Sequence, residues 1–143
     1  MAIPFQVTFD ANDTHALARF WATALDYIPE PPPSGYATWE VWAGEQGIPE
    51  EFWDTYYAVV DPDGVGPRVL FQKVPESKAA KNRVHLDLHV APRGTPPEER
   101  ARLREERVAR CVAAGAVEIA RHDEMGQEWV VLRDPEGNEF CVA

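Results

Sequence analysis

The feature that most constrains this chain is a turn written twice. Asp61-Pro62-Asp63-Gly64 precedes one apolar-alternating run, and Asp134-Pro135-Glu136-Gly137 precedes another. In each, proline sets φ and glycine accepts a positive φ. What lies upstream repeats too. Residues 5–10 alternate apolar and polar, as a half-buried strand does. Asn12 or Asp13 then caps a helix in which Leu17, Phe20, Trp21 and Leu25 make one apolar stripe. Pro29 and the prolines at 31–33 end that helix in a stiff loop. Residues 36–42, 56–60 and 68–74 read as strands, with an irregular stretch at 43–54 carrying Phe52 and Trp53. In the second half residues 83–90 read as a strand. A helix follows from Thr95, with Pro96 in its first turn and Glu98 placed as in a capping box. Val108, Cys111 and Val112 supply its apolar face, and Gly115 stops it. Strands at 117–122, 128–132 and 139–143 complete the order β-α-β-β-β for the second time. Self-similarity at this scale predicts a duplicated module. A length of 143 residues suits one domain, residues 1–143, built from modules at about 4–75 and 82–143.

Charge narrows the function. Lys plus Arg is 14 and Asp plus Glu is 24, for a net charge of −10. Such a surface repels phosphate backbones and anionic lipid, so neither nucleic acid nor membrane is expected as a partner. The basic run at 100–110 alternates with glutamates and reads as a solvated helix face with paired charges. No apolar stretch approaches the ~18 residues of a membrane span, and no signal peptide precedes the first strand. Cys111 and Cys141 are therefore expected as free thiols in a reducing cytoplasm.

Several motifs resemble the vicinal oxygen chelate superfamily, and within it the glyoxalase-like and bleomycin-resistance-like proteins. Phe20-Trp21 through Leu25 is similar to the first-helix signature, with Asp26 where that signature has glycine. Arg110 through Gly115-Ala116 resembles the end of the second helix. Asp134 through Phe140 resembles the C-terminal turn and last strand, and Phe71 through Glu76 with Lys81 through Asp87 resembles a glyoxalase-like subgroup. The resemblance implies an α+β fold: two βαβββ modules forming a curled mixed sheet of half-barrels, with helices on the outer face. It also implies a homodimer, and a cleft for a small organic molecule.

Strand alternation predicts which side chains face that cleft. Phe5, Val7 and Phe9 should pack on helices, with Gln6, Thr8 and Asp10 opposite. Val69 and Phe71 should pack, with Arg68, Leu70 and Gln72 opposite. Val84, Leu86, Leu88 and Val90 should pack, with His85, Asp87 and His89 opposite. Phe140 and Val142 should pack, with Glu139 and Cys141 opposite. The bland account of the polar faces is that they are simply wet. The resemblance carries the four metal-holding positions of metal-using members onto Gln6, Gln72, His85 and Cys141. Three of these are neutral ligands, and carboxylates are missing where a hard divalent cation needs them. A divalent metal is thus admitted but not favoured. His85 is the candidate general base.

Aromatic residues supply the other candidate lining. Trp42, Trp53 and Trp129, with Gln6, Gln72 and Cys141, are the expected ligand-binding set. Trp39 and Trp42, an odd number apart, should face opposite sides of a strand. Two readings follow: a metal-free binder with or without acid–base chemistry at His85, or a metal-dependent lyase, isomerase or dioxygenase chelating vicinal oxygens of its substrate.

Overall fold

The computed structural model describes residues 1–143. They form two compact units, residues 1–22 with 26–77, and residues 23–25 with 78–143. The first unit carries β1 (Val7–Ala11), most of α1 (Thr14–Leu25), β2 (Ile28–Pro29), α2 (Trp39–Glu45), a 3-10 turn at Glu50–Phe52, β3 (Tyr56–Val60) and β4 (Val69–Lys73). The strand order is β1-β4-β3-β2, with β1 parallel to β4 and the other pairs antiparallel. Asp13 caps α1 by accepting from the Ala16 backbone N–H at 2.9 Å. The helix ends at Asp26, which takes the left-handed conformation at φ 57° where glycine would be unstrained. Leu17, Phe20 and Trp21 are buried. The Phe9 ring lies 5.0 Å from Trp21 and 5.6 Å from Phe71, so the helix stripe and the strand alternation meet in one aromatic core.

The second unit carries β5 (Asp87–Leu88), α3 (Pro97–Ala113), β6 (Val117–Glu124), β7 (Gln127–Arg133) and β8 (Glu139–Val142). Its order, β5-β8-β7-β6 with β5 parallel to β8, repeats that of the first. Val108 and Cys111 of α3 and Val130, Leu132, Phe140 and Val142 of the strands are among its buried apolar residues. The expected α+β class with mixed sheets is what the chain adopts.

The repeated turns are cages around their first aspartate. Asp61 accepts from the backbone N–H groups of Asp63, Val65 and Gly66 at 2.9, 3.1 and 2.8 Å. Asp134 accepts from the backbones of Glu136 and Asn138, both at 2.9 Å, and from the Asn138 side chain at 2.8 Å. Gly64 and Gly137 take φ of 68° and 89° as the turn type requires.

Several local expectations are overturned. Residues 36–42 are not a strand. Thr38 accepts from the Val41 N–H at 3.2 Å and starts a helix, and that cap outweighs the strand preference of the aromatics. Trp39 and Trp42 therefore share a side, with ring centroids 5.5 Å apart at 86°, instead of facing apart. The missing strand is Ile28–Pro29, within the stretch expected to be loop; it pairs with Val60 and Val59 at the sheet edge, where proline's lack of an N–H is harmless. In α3 no capping box forms. Pro96 caps without a side-chain bond, and the Thr95 hydroxyl donates to the Pro92 carbonyl at 2.8 Å. Val112 is 45% exposed, while Arg104 takes a buried place, its guanidinium paired with Glu128 of β7. Phe5 and Val84 are largely exposed because each precedes the first ladder residue of its strand.

Candidate functional site

Each unit carries a cavity. In the first, about 590 Å³ opens between α2 with the segment after it and the face of the sheet that holds Ala58 and Leu70. Trp39, Trp42, Phe52, Trp53, Tyr56 and Tyr57 line it. The Trp39 indole N–H donates to the Glu30 carbonyl at 2.8 Å, and the Trp53 N–H to the Ile48 carbonyl at 2.9 Å. Both rings are thereby fixed with their polar edges satisfied, leaving apolar surface for a guest. Arg68 is the one guanidinium in the lining. Its Nε and one terminal nitrogen donate to the two Glu30 oxygens at 3.0 and 2.7 Å, and the other terminal nitrogen donates to Gln6 Oε1 at 3.0 Å. This bidentate pair cancels both charges. His15 packs on Tyr57 with ring centroids 4.2 Å apart and the planes tilted by 42°, and its Nε2 is buried without a hydrogen-bond partner.

The second cavity, about 630 Å³, is lined by His85, Asp87, His89, His122, Trp129 and Cys141 among others. His85 Nδ1 lies 2.7 Å from Asp87 Oδ1. A carboxylate only accepts, so Nδ1 is the donor in this contact. Burial, then the Asp87 charge and hydrogen bond, push the Cys141 thiol up to about 11. Cys141 is thus an un-ionised donor to Asp87 and a poor nucleophile. The His122 ring stacks on Trp129 at 4.9 Å across the β6–β7 pair. Lys81 donates to Glu139 at 2.6 Å and holds that carboxyl below its ordinary range.

The two ladders can be compared rung for rung. With Gln6 set against His85, the rung two residues on is Thr8–Leu70 in one unit and Asp87–Cys141 in the other, so that Leu70 takes the place of Cys141. Gln72 pairs with Asp10. Gln6 precedes β1 beside Arg68, four rungs from Gln72, roughly 13 Å along the ladder. Within the first unit the two glutamines do not share a point. Within the second, His85 and Cys141 do come together.

Two findings bear on kinship. The family model described as a glyoxalase-like domain matches residues 6–143, nearly the whole chain. This protein belongs to the glyoxalase-like domain family. It is thereby a member of the vicinal oxygen chelate superfamily, as its motifs suggested. Its fold is similar to that of a glyoxalase/bleomycin resistance protein/dioxygenase family enzyme from Burkholderia phytofirmans PsJN, at 16% identity, 96% and 94% coverage of this chain and that one, and a TM-score of 0.63. It is similar as well to the fosfomycin resistance protein FosX from Listeria monocytogenes, solved as a mutant with Mn(II) and a dihydroxypropylphosphonic acid, at 9% identity, 99% and 89% coverage and 0.63. A third is the bleomycin-binding protein of Streptomyces verticillus, solved with copper(II)-bleomycin, at 15% identity, 100% and 96% coverage and 0.55. No curated protein matches the chain in sequence. At these identities the solved structures speak for the glyoxalase-like fold alone. No helix is long and apolar enough to cross a membrane.

Metal chemistry is known among such folds, so the donor set matters. One His nitrogen, one carboxylate oxygen and one Cys sulfur, those of His85, Asp87 and Cys141, lie within 4.8 Å of one another. They already hydrogen-bond among themselves. A single carboxylate does not fit a hard divalent cation, which takes mostly oxygen ligands. The sequence reading missed the Glu30–Arg68 clamp, His15 and the His122–Trp129 stack in these linings. The first two depend on pairings far apart in the chain. The third was within reach through Met125-Gly126, a positive-φ turn that sets the hairpin register.

Proposed function

We propose that this glyoxalase-like protein binds a small organic molecule in the aromatic cavity of its first unit, as a cytoplasmic homodimer without a resident hard metal. The observation that carries this reading is the pinned pair of indoles. Rings whose N–H groups are satisfied by backbone carbonyls lose little freedom on binding, which lowers the cost of holding a guest. The ligand set expected from sequence divides accordingly. Trp42 and Trp53 belong to the binding cavity, and Trp129, His85 and Cys141 to the second-unit cavity. Where a substrate enters the latter, His85 is the group we assign to proton transfer, with Asp87 holding its Nδ1 proton.

The test is ligand-detected NMR with a mixture of flat aromatic compounds, followed by calorimetry on any that bind. At least one compound should bind the wild type, and Trp42→Ala should weaken it about tenfold through lost ring contact. If none binds, or Trp42→Ala binds equally well, the reading fails.

A second reading rests on the His85, Asp87 and Cys141 cluster. A softer ion such as zinc accepts imidazole and thiolate, and a metal-dependent lyase, isomerase or dioxygenase would then be the better description. Elemental analysis of protein purified without chelators separates the two. Near-stoichiometric zinc, lost in His85→Ala, would replace the first reading by the second.

A further inference from the structure

The charges around the aromatic cavity narrow the chemical class of what it takes. Of the charged side chains in the lining, Glu30 and Arg68 neutralise each other through two hydrogen bonds, and Gln6 occupies the remaining arm of the guanidinium. No fixed cation is left to meet an anionic guest. Glu40, in the first turn of α2, also lines the cavity, and its carboxylate has no hydrogen-bond or ion-pair partner. It stands next in sequence to Trp39, whose ring packs edge-on against Trp42 at 5.5 Å. Aromatic faces carry negative potential and attract cations. The −10 net charge of the chain acts in the same direction at longer range.

We infer that the first-unit cavity selects organic cations: flat or compact guests bearing a quaternary or protonated nitrogen, held by the faces of Trp39, Trp42 and Trp53 with Glu40 as counter-charge. This rests on the binding role proposed for that cavity and adds the sign of charge to it. A neutral aromatic gains the ring contacts alone. An anionic one meets Glu40 and the ring faces with nothing to offset either.

Calorimetry of the full chain with three probes of similar size decides the matter: N-methylquinolinium, quinoline at a pH where it is neutral, and naphthoate. The expected order is the cation first, by at least about tenfold over quinoline, with naphthoate last. Glu40→Gln, an exposed and nearly isosteric change, should weaken N-methylquinolinium by about threefold to tenfold and leave quinoline unchanged. Circular dichroism of the variant shows that α2 persists. A cation preference below about threefold, or one that Glu40→Gln leaves intact, overturns the inference while the binding role stands. If none of the three probes binds while a compound of the aromatic mixture does, the inference falls and the binding role stands; if neither binds, both fall.

Discussion

Single carboxylates do much of the local organisation in this chain. Asp61 is held below the ordinary carboxyl range by the Gly66 N–H first, then that of Asp63, against a smaller opposing effect of burial and with help from Val65. A carboxyl lower in the folded state than in the unfolded one stabilises above the unfolded value and loses that stabilisation as pH falls through the folded one. Asp61→Asn should therefore lower the melting temperature at pH 7 and flatten its decline on acidification. Scanning calorimetry from pH 7 downward checks this; an unchanged slope would show that the cage contributes nothing. Cys141 gives the opposite case. A thiol pushed up to about 11 is almost wholly protonated at neutral pH. Iodoacetamide should label it slowly at pH 7.5, with a rate that climbs steadily through pH 10. Fast labelling at neutral pH, read by mass spectrometry at this residue, would show that the thiol is ionised there and that burial beside Asp87 does not hold it protonated.

At the level of elements, α2 is the piece on which binding depends. It is only about two turns long and is started by the Thr38 cap. Losing such a cap costs about 0.5–2 kcal/mol. Thr38→Ala should weaken a bound aromatic probe by more than its effect on urea unfolding accounts for, because Trp39, Trp42 and Ala43 all reach the cavity from this helix. Equal losses would mean that α2 is merely part of the general packing. The same element marks where sequence reading reached its limit. Strand periods, the α1 stripe and the paired turns were legible because each is set by neighbours within a few residues. Trp42 and Trp53 were legible as cavity residues because five tryptophans exceed what a small core needs. The helix at 39–45 was not, since an aromatic-rich run reads as strand unless the threonine ahead of it is weighed as a cap. Arg68 was placed on the correct face, yet its partner Glu30 lies 38 residues away and nothing local announces it.

For the molecule as a whole, charge and duplication set the terms. With a net charge of −10, neither duplex DNA nor phosphatidylserine vesicles should retain the protein at about 0.1 M salt. Co-sedimentation measures this, and retention would mean that a local basic patch overrides the field. The proposed dimer is open to a similar check. Phe5 and Val84 are 74% and 80% exposed in the segments that lead into the edge strands β1 and β5, an arrangement that a second chain would relieve. Sedimentation velocity should give twice the chain mass, and Phe5→Ser with Val84→Ser should shift it toward the monomer. A monomeric wild type would remove the homodimer.

Duplication also leaves a spare. The rung that bears Asp87 and Cys141 in one sheet bears Thr8 and Leu70 in the other, on the same parallel pairing and beyond the same kind of turn. One half mounts a carboxylate and a thiol there, and the other a hydroxyl and the Leu70 side chain that lines the aromatic cavity. The same acid–thiol pair could thus be installed on the first half by exchanging two side chains, on a backbone whose twin already holds it.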